Sequence, residues 1–299
     1  KMTPMADSGD AALNTYRYLR GGMAALLLML GAAVVAERLR SGCWQTSISA
    51  YYFTSAQAVF VGSLCALGAL LIVYRGSSDT EDVLLNLAGT LAFIVAFVPT
   101  SRPVLACGDT IAPGSAGPAA TLGAWAVVVA LLAARLASWW LYRRTGTGQP
   151  RSALGTVVTW VQRAVFTVGV VTLAVAPEWF VGHAHGIAAV VLFAAIIATV
   201  AQTAFVVGNQ DDDRCPHRGR YRAVYRTIAA TMAATLVAAV VLHLTVDGFN
   251  HAVLVVEAAL IAAFGVYWLV QTVELWGTTT REALLAAGAA ERSRTLRAL

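Results

Sequence analysis

Apolar runs long enough to cross a lipid bilayer recur along almost the whole chain, and this feature limits the fold more than any other. Eight runs can be marked, at residues 18–35, 55–74, 83–98, 119–141, 157–176, 185–207, 224–246 and 252–275. Each is close to the roughly 20 residues a helix needs to span a hydrocarbon core about 30 Å thick. Most lack the polar face by which a helix on a soluble globule meets water. The composition agrees: 58% of the 299 residues are hydrophobic and 12% charged, against about 25% charged in ordinary soluble domains. The expected fold class is all-α, a polytopic transmembrane helix bundle of about eight spans. The third run is the shortest and is followed by Pro99, so a seven-span arrangement, with that segment tilted or re-entrant, is the alternative.

The distribution of arginine orients the chain. With the N-terminus inside and the connections alternating, sixteen of the 21 basic residues fall on the inner side, and only Arg38, Arg40 and Arg102 on the outer. That asymmetry is the positive-inside pattern, and it predicts N-in and C-in. The net charge of +5 therefore marks topology, and nucleic acid is not an expected partner. The expected organisation is a polar N-terminal tail (1–16), a helical bundle (17–276) and a cytoplasmic C-terminal tail (277–299), the last either a short amphipathic helix on the inner leaflet or a loose extension. The first span comes after Arg17 and Arg20 without a convincing cleavage pattern and reads as an uncleaved insertion signal. Arginine in place of lysine, with much Ala and Val, points to a GC-rich bacterial genome and to a bacterial inner (cytoplasmic) membrane.

Of the four cysteines, Cys43 and Cys107 fall in outer connections, where an oxidising compartment would permit a bridge between them; the alternative is two unrelated small residues. Cys65 reads as a packing residue within a span. Cys215, near Asp211, Asp212, Asp213 and His217, reads as part of a solvated charged loop.

Ionisable side chains inside spans are costly unless paired or wet, which makes them the best pointers to function. They are Arg135, Arg163, His243, Asp247 and Glu257, with the amides Asn86 and Gln202 nearby. Arg135 and Arg163 either snorkel to lipid phosphates or pair with a carboxylate such as Glu274. The sharpest group is on the outer side. His183 and His185 open the sixth span, His243 and Asp247 share a helical face at the end of the seventh, His251 comes just after the turn, and Glu257 sits about two turns into the eighth. Glu257, Asp247, His243, His251, His185 and Ser49 are the candidate lining of an outer polar pocket. His243, Asp247, His251 and His185 are also of the residue types that hold zinc. The same residues equally suit a proton relay, a metal-free pocket, or plain interfacial and turn chemistry. The 47–54 segment either lines the pocket or caps the second span through Thr54 or Ser55.

SISAYYFT at 47–54, VFVGSLCALGALLIVYRG at 59–76, NLAG at 86–89, FVPT at 97–100 and VEAALIAAFGVYWLV at 256–270 together resemble an uncharacterised family of bacterial polytopic membrane proteins. Relatives in that family commonly have His where Phe53 stands, and often Lys where Gln271 stands. The resemblance implies architecture and no established activity. A more distant similarity is to the ceramidase and adiponectin-receptor superfamily of zinc hydrolases. Its early Ser-x-x-x-His motif here reads Ser49-x-x-x-Phe53, and His243-x-x-x-Asp247-x-x-x-His251 departs from its late motif.

There is no phosphate-binding loop, no H-E-x-x-H and no lysine in a late span, which disfavours nucleotide-driven pumps, that class of metalloprotease and retinal proteins. Three functions remain. A transporter or lipid- and small-molecule-handling protein would turn Glu257, Asn86 and Arg163 toward one path. A metal-dependent hydrolase would activate water beside Asp247 or Glu257 to attack a lipid. An accessory subunit of a larger membrane complex, or a homo-oligomer, would leave the histidine layer as interface.

Overall fold

A computed structural model describes residues 5–100, 116–145, 152–209, 217–245 and 251–281, and every regular element among them is helical. The helices are α1 (Met5–Ser41), α2 (Gln57–Val73), α3 (Asp79–Phe97), α4 (Ala116–Thr145), α5 (Ala153–Val175), α6 (Pro177–Gly208), α7 (Arg218–Thr245) and α8 (Ala252–Glu274), with one 3-10 turn at Ser49–Phe53 between α1 and α2. They correspond one to one with the eight apolar runs.

Among the described residues, six helices are long and apolar enough to cross a membrane, and the protein is an integral, multi-pass membrane protein. Two apolar stretches fall short of that length, Gln57–Val73 and Thr121–Ala137. In α2 the cause is local. The chain ahead of it is taken up by the 3-10 turn, and the N-cap is Ala56, with neither Thr54 nor Ser55 capping the helix as expected. Thr54 instead closes the turn, its hydroxyl donating to the Tyr51 carbonyl. At the other extreme, α1 is already helical at Met5, within the expected polar tail. α6 starts eight residues ahead of His185 because Pro177 occupies its first turn, where a missing N–H costs nothing.

The shortest apolar run proves to be the most interior helix. Two thirds of α3 is buried within the protein, so it needs no lipid-facing surface and its brevity is not that of a surface fragment. Six helices close a ring in the order α1, α2, α3, α6, α7, α8, with α8 returning to α1, while α4 and α5 lie outside against α3 and α6. Where α2 meets α3 the backbones nearly touch. A methyl on Gly68 would come within 2.8 Å of the Gly89 carbonyl oxygen, and one on Gly89 within 2.5 Å of the Gly68 carbonyl oxygen. The middle of the ring is filled by buried apolar side chains, among them Leu85, Leu192, Met232, Leu260 and Phe264.

Candidate functional site

Polar side chains collect at both ends of this dry ring. At the end opposite the arginine-rich one, the 3-10 turn packs on α2 and is tied to α6 and α8. Three of the expected pocket residues hold it there. Glu257, one turn and a half into α8, accepts the Ile48 amide at 2.6 Å, at the start of the turn. His185 of α6 holds the Val98 carbonyl at 2.6 Å through Nδ1 and the Ser49 hydroxyl at 2.9 Å through Nε2. A carbonyl oxygen only accepts, so Nδ1 carries the proton. In the neutral ring Nε2 is then the acceptor, and Ser49 donates to it. Ser49 is half-buried and His185 is buried, so the serine is the reachable member of the pair.

Neighbouring contacts fasten the same segment. His251 Nδ1 lies 3.3 Å from the Gln45 carbonyl, and the Leu254 amide donates to the Thr46 carbonyl at 3.0 Å. From α1, Glu37 holds Arg40 at 2.8 Å and accepts the Ser55 hydroxyl. Tyr51, fully buried in the turn, has its phenol pushed above its usual pKa by burial.

Glu257, His185 and Ser49 thus converge, with His251 beside them on the connecting segment. The His243 side chain and Asp247 lie outside what is described. His183 does not join the group: it turns outward and stacks on Trp179 with ring centroids 4.6 Å apart. Nor do Asn86 and Arg163 share a path with Glu257. Asn86 donates to the Asp82 carbonyl of its own helix, and Arg163 lies exposed on α5 over the Trp160 ring. Cys43 is disulfide-bonded, Cys65 is a free thiol, and Cys107 lies outside the described residues.

The zinc expectation fits the described donors poorly. Both ring nitrogens of His185 are already engaged, Phe53 presents a buried apolar ring where the distant superfamily has a ligand, and no three His, Cys, Asp or Glu among the described residues are grouped closely enough to hold a metal ion.

The arginine-rich end carries a second cluster, to which five ring helices contribute side chains and α2 its C-cap residue, Tyr74. Glu81 of α3, almost fully buried, accepts the Tyr267 hydroxyl at 3.2 Å, the Gln271 side-chain amide at 3.4 Å, the Thr203 hydroxyl at 3.5 Å and the Ser77 amide at 2.9 Å. The segment after α8 folds back and inserts Arg281, whose guanidinium grips Glu274 at 2.7 and 3.2 Å and lies 3.9 Å from Glu81. The Tyr225 hydroxyl donates to the same Glu274 carboxylate. Burial opposes the charge on Arg281, but the two carboxylates outweigh it and hold its pKa well above the usual arginine value. Arg20 of α1, also buried, donates to the Tyr74 hydroxyl and to the carbonyls of Leu275 and Thr279 at 3.1, 3.1 and 2.6 Å, closing the C-terminal end of α8. Glu274 is therefore committed to Arg281 rather than to Arg135 or Arg163, and the first residues of the expected tail are part of the bundle.

No protein-family model, curated protein or solved structure matches the chain.

The second cluster was not foreseen from the sequence. Glu81 lies in an Asp- and Glu-rich first turn, where carboxylates are routine, and Arg281 lies past the last apolar run. One signal was present: Tyr267, Gln271 and Glu274 succeed one another at the i, i+4, i+7 spacing of a single helical face.

Proposed function

We propose that this protein handles a lipid or small molecule at the polar end formed by Ser49, His185 and Glu257. The observation that carries the reading is their convergence on an irregular segment. A 3-10 turn tied to two spans leaves backbone polar groups that lipid cannot satisfy, so protein or a cavity must do so. Here one carboxylate and one imidazole do so, and the Ser49 hydroxyl stays reachable.

Within this reading, polar clusters at two ends favour transport over catalysis, by a route that does not include Asn86 or Arg163. A second polar cluster occupies the other end of the same ring, and α8 alone carries Glu257 and Gln271 about 21 Å apart at 1.5 Å per residue. A dry middle with a polar group at each end, each covered by a non-helical segment, is the arrangement of a closed pathway. The hydrolase alternative lacks a gathered ligand set among the described residues.

The test is a ligand panel on purified protein in nanodiscs, read by melting temperature and native mass spectrometry. At least one lipid or small-molecule class should stabilise the parent chain and lose its effect in both Ser49→Ala and His185→Gln. Ligands that bind all three chains alike, or a panel in which none binds, would contradict the proposal.

A further inference from the structure

The outlying hairpin of α4 and α5 differs in charge from the rest of the chain. Between residues 116 and 176 the sequence carries five arginines, at 135, 143, 144, 151 and 163, and no Asp or Glu. Three of these guanidinium groups lie over exposed indoles of their own helix: Arg143 over Trp139 at 4.5 Å, Arg144 over Trp140 at 5.2 Å and Arg163 over Trp160 at 5.1 Å. The three indoles are 54, 56 and 63% exposed.

The packing of α4 is equally uneven. Its first half rests on the bundle through Ala124, Val127 and Val128, which are buried. From Val129 to Arg144, every described side chain is exposed except the half-buried Leu131. Arg163 lies about 15 Å from the arginine-rich end of α5 by helical rise. An exposed arginine at that depth in a membrane helix is costly unless an anionic group or water meets it. Val157 and Val161 give apolar surface beside it, and Leu132 and Leu136 do the same on α4.

We propose that the arginine-rich half of this hairpin is a binding site for an anionic phospholipid. Its phosphate would meet the guanidinium edges, which stacking on tryptophan leaves free to donate. The indoles suit the depth of the glycerol backbone, and the acyl chains run along the leucine and valine flanks. Basic groups between spans on the arginine-rich side are a recurrent recognition device for acidic headgroups. A second copy of the chain would bring the same five positive charges against these five, which argues against self-association here.

Native mass spectrometry of the full chain, titrated separately with phosphatidylglycerol, cardiolipin and phosphatidylcholine, tests this. The anionic lipids should bind and phosphatidylcholine should not. Arg163→Gln should weaken binding about fivefold and the paired variant Arg143→Gln/Arg144→Gln about 25-fold, at about fivefold per arginine, and lysine at the same positions should restore most of it. Arg220→Gln/Arg226→Gln, exposed on α7, should leave binding unchanged. Equal binding of phosphatidylcholine, equal weakening in the α7 pair, competition by millimolar inorganic phosphate, or a dimer cross-linked through Leu132→Cys would each overturn it.

Discussion

Two buried carboxylates do different work in this protein. Glu257 terminates a stray backbone segment, and Glu81 anchors a network of hydroxyls and a guanidinium. Replacing Glu257 with Ala removes the acceptor of the Ile48 amide, and a part-buried N–H left without a partner costs about 1–3 kcal/mol. The loss should be measured as a lower melting temperature; an unchanged one would mean that the cap is idle. Arg281→Ala is more severe, because it leaves Glu274 and Glu81 buried with their charge uncompensated, and breaking a buried pair from one side costs about 3–5 kcal/mol. Adding Glu274→Gln to that variant should recover part of the loss, and a double-mutant cycle that is simply additive would contradict the pairing. Glu257 was legible in the sequence because a carboxylate two turns inside an apolar run has no surface explanation. Arg281 was not, since nothing local says that a residue beyond the last span folds back to meet one 200 positions earlier.

At the level of elements, hydrophobic run length locates the helices along the chain, and it says little of how deeply each is buried. The third apolar run looked weakest by length, yet α3 is two-thirds buried and packs against α2, α4, α5 and α6. Its first turn carries three acidic residues that cut the apolar run short, and two of them, Asp79 and Glu81, are spent on contacts to Ser152 and to the Tyr267 hydroxyl. The close approach of α2 and α3 makes Gly68 and Gly89 the most size-sensitive positions in the ring. Gly89→Val should separate the two helices and sharply lower the yield of folded protein, whereas the same change at Gly62, where a Cβ meets nothing within 4 Å, should be tolerated. Comparable detergent-extracted yields for the two variants would contradict the contact. Near the other end of α1, Cys43 is in a disulfide, and we propose Cys107 as its partner. On non-reducing gels Cys43→Ser and Cys107→Ser should shift mobility alike, and a shift in only one of them would reject the pair.

For the whole molecule, the sequence separated membrane from soluble and suggested which residue types to watch, but ring closure depends on which helices touch. Alternation of apolar and arginine-bearing segments cannot place α4 and α5 outside a ring of the other six. The ring makes this a protein with two chemically distinct polar ends on either side of a dry centre. The antiparallel run of the helices puts Ser77 at the end that holds Arg281, and Ser47 at the end that holds Glu257, next to the Ile48 amide. Single cysteines at Ser47 and Ser77, in a background with the native cysteines replaced, can be challenged with a membrane-impermeant maleimide in right-side-out and inverted vesicles. Each position should react in only one vesicle orientation, and the two in opposite ones. Labelling of both from the same side, or recovery of the chain from the soluble fraction without detergent, would contradict a membrane-spanning ring with two separate polar ends.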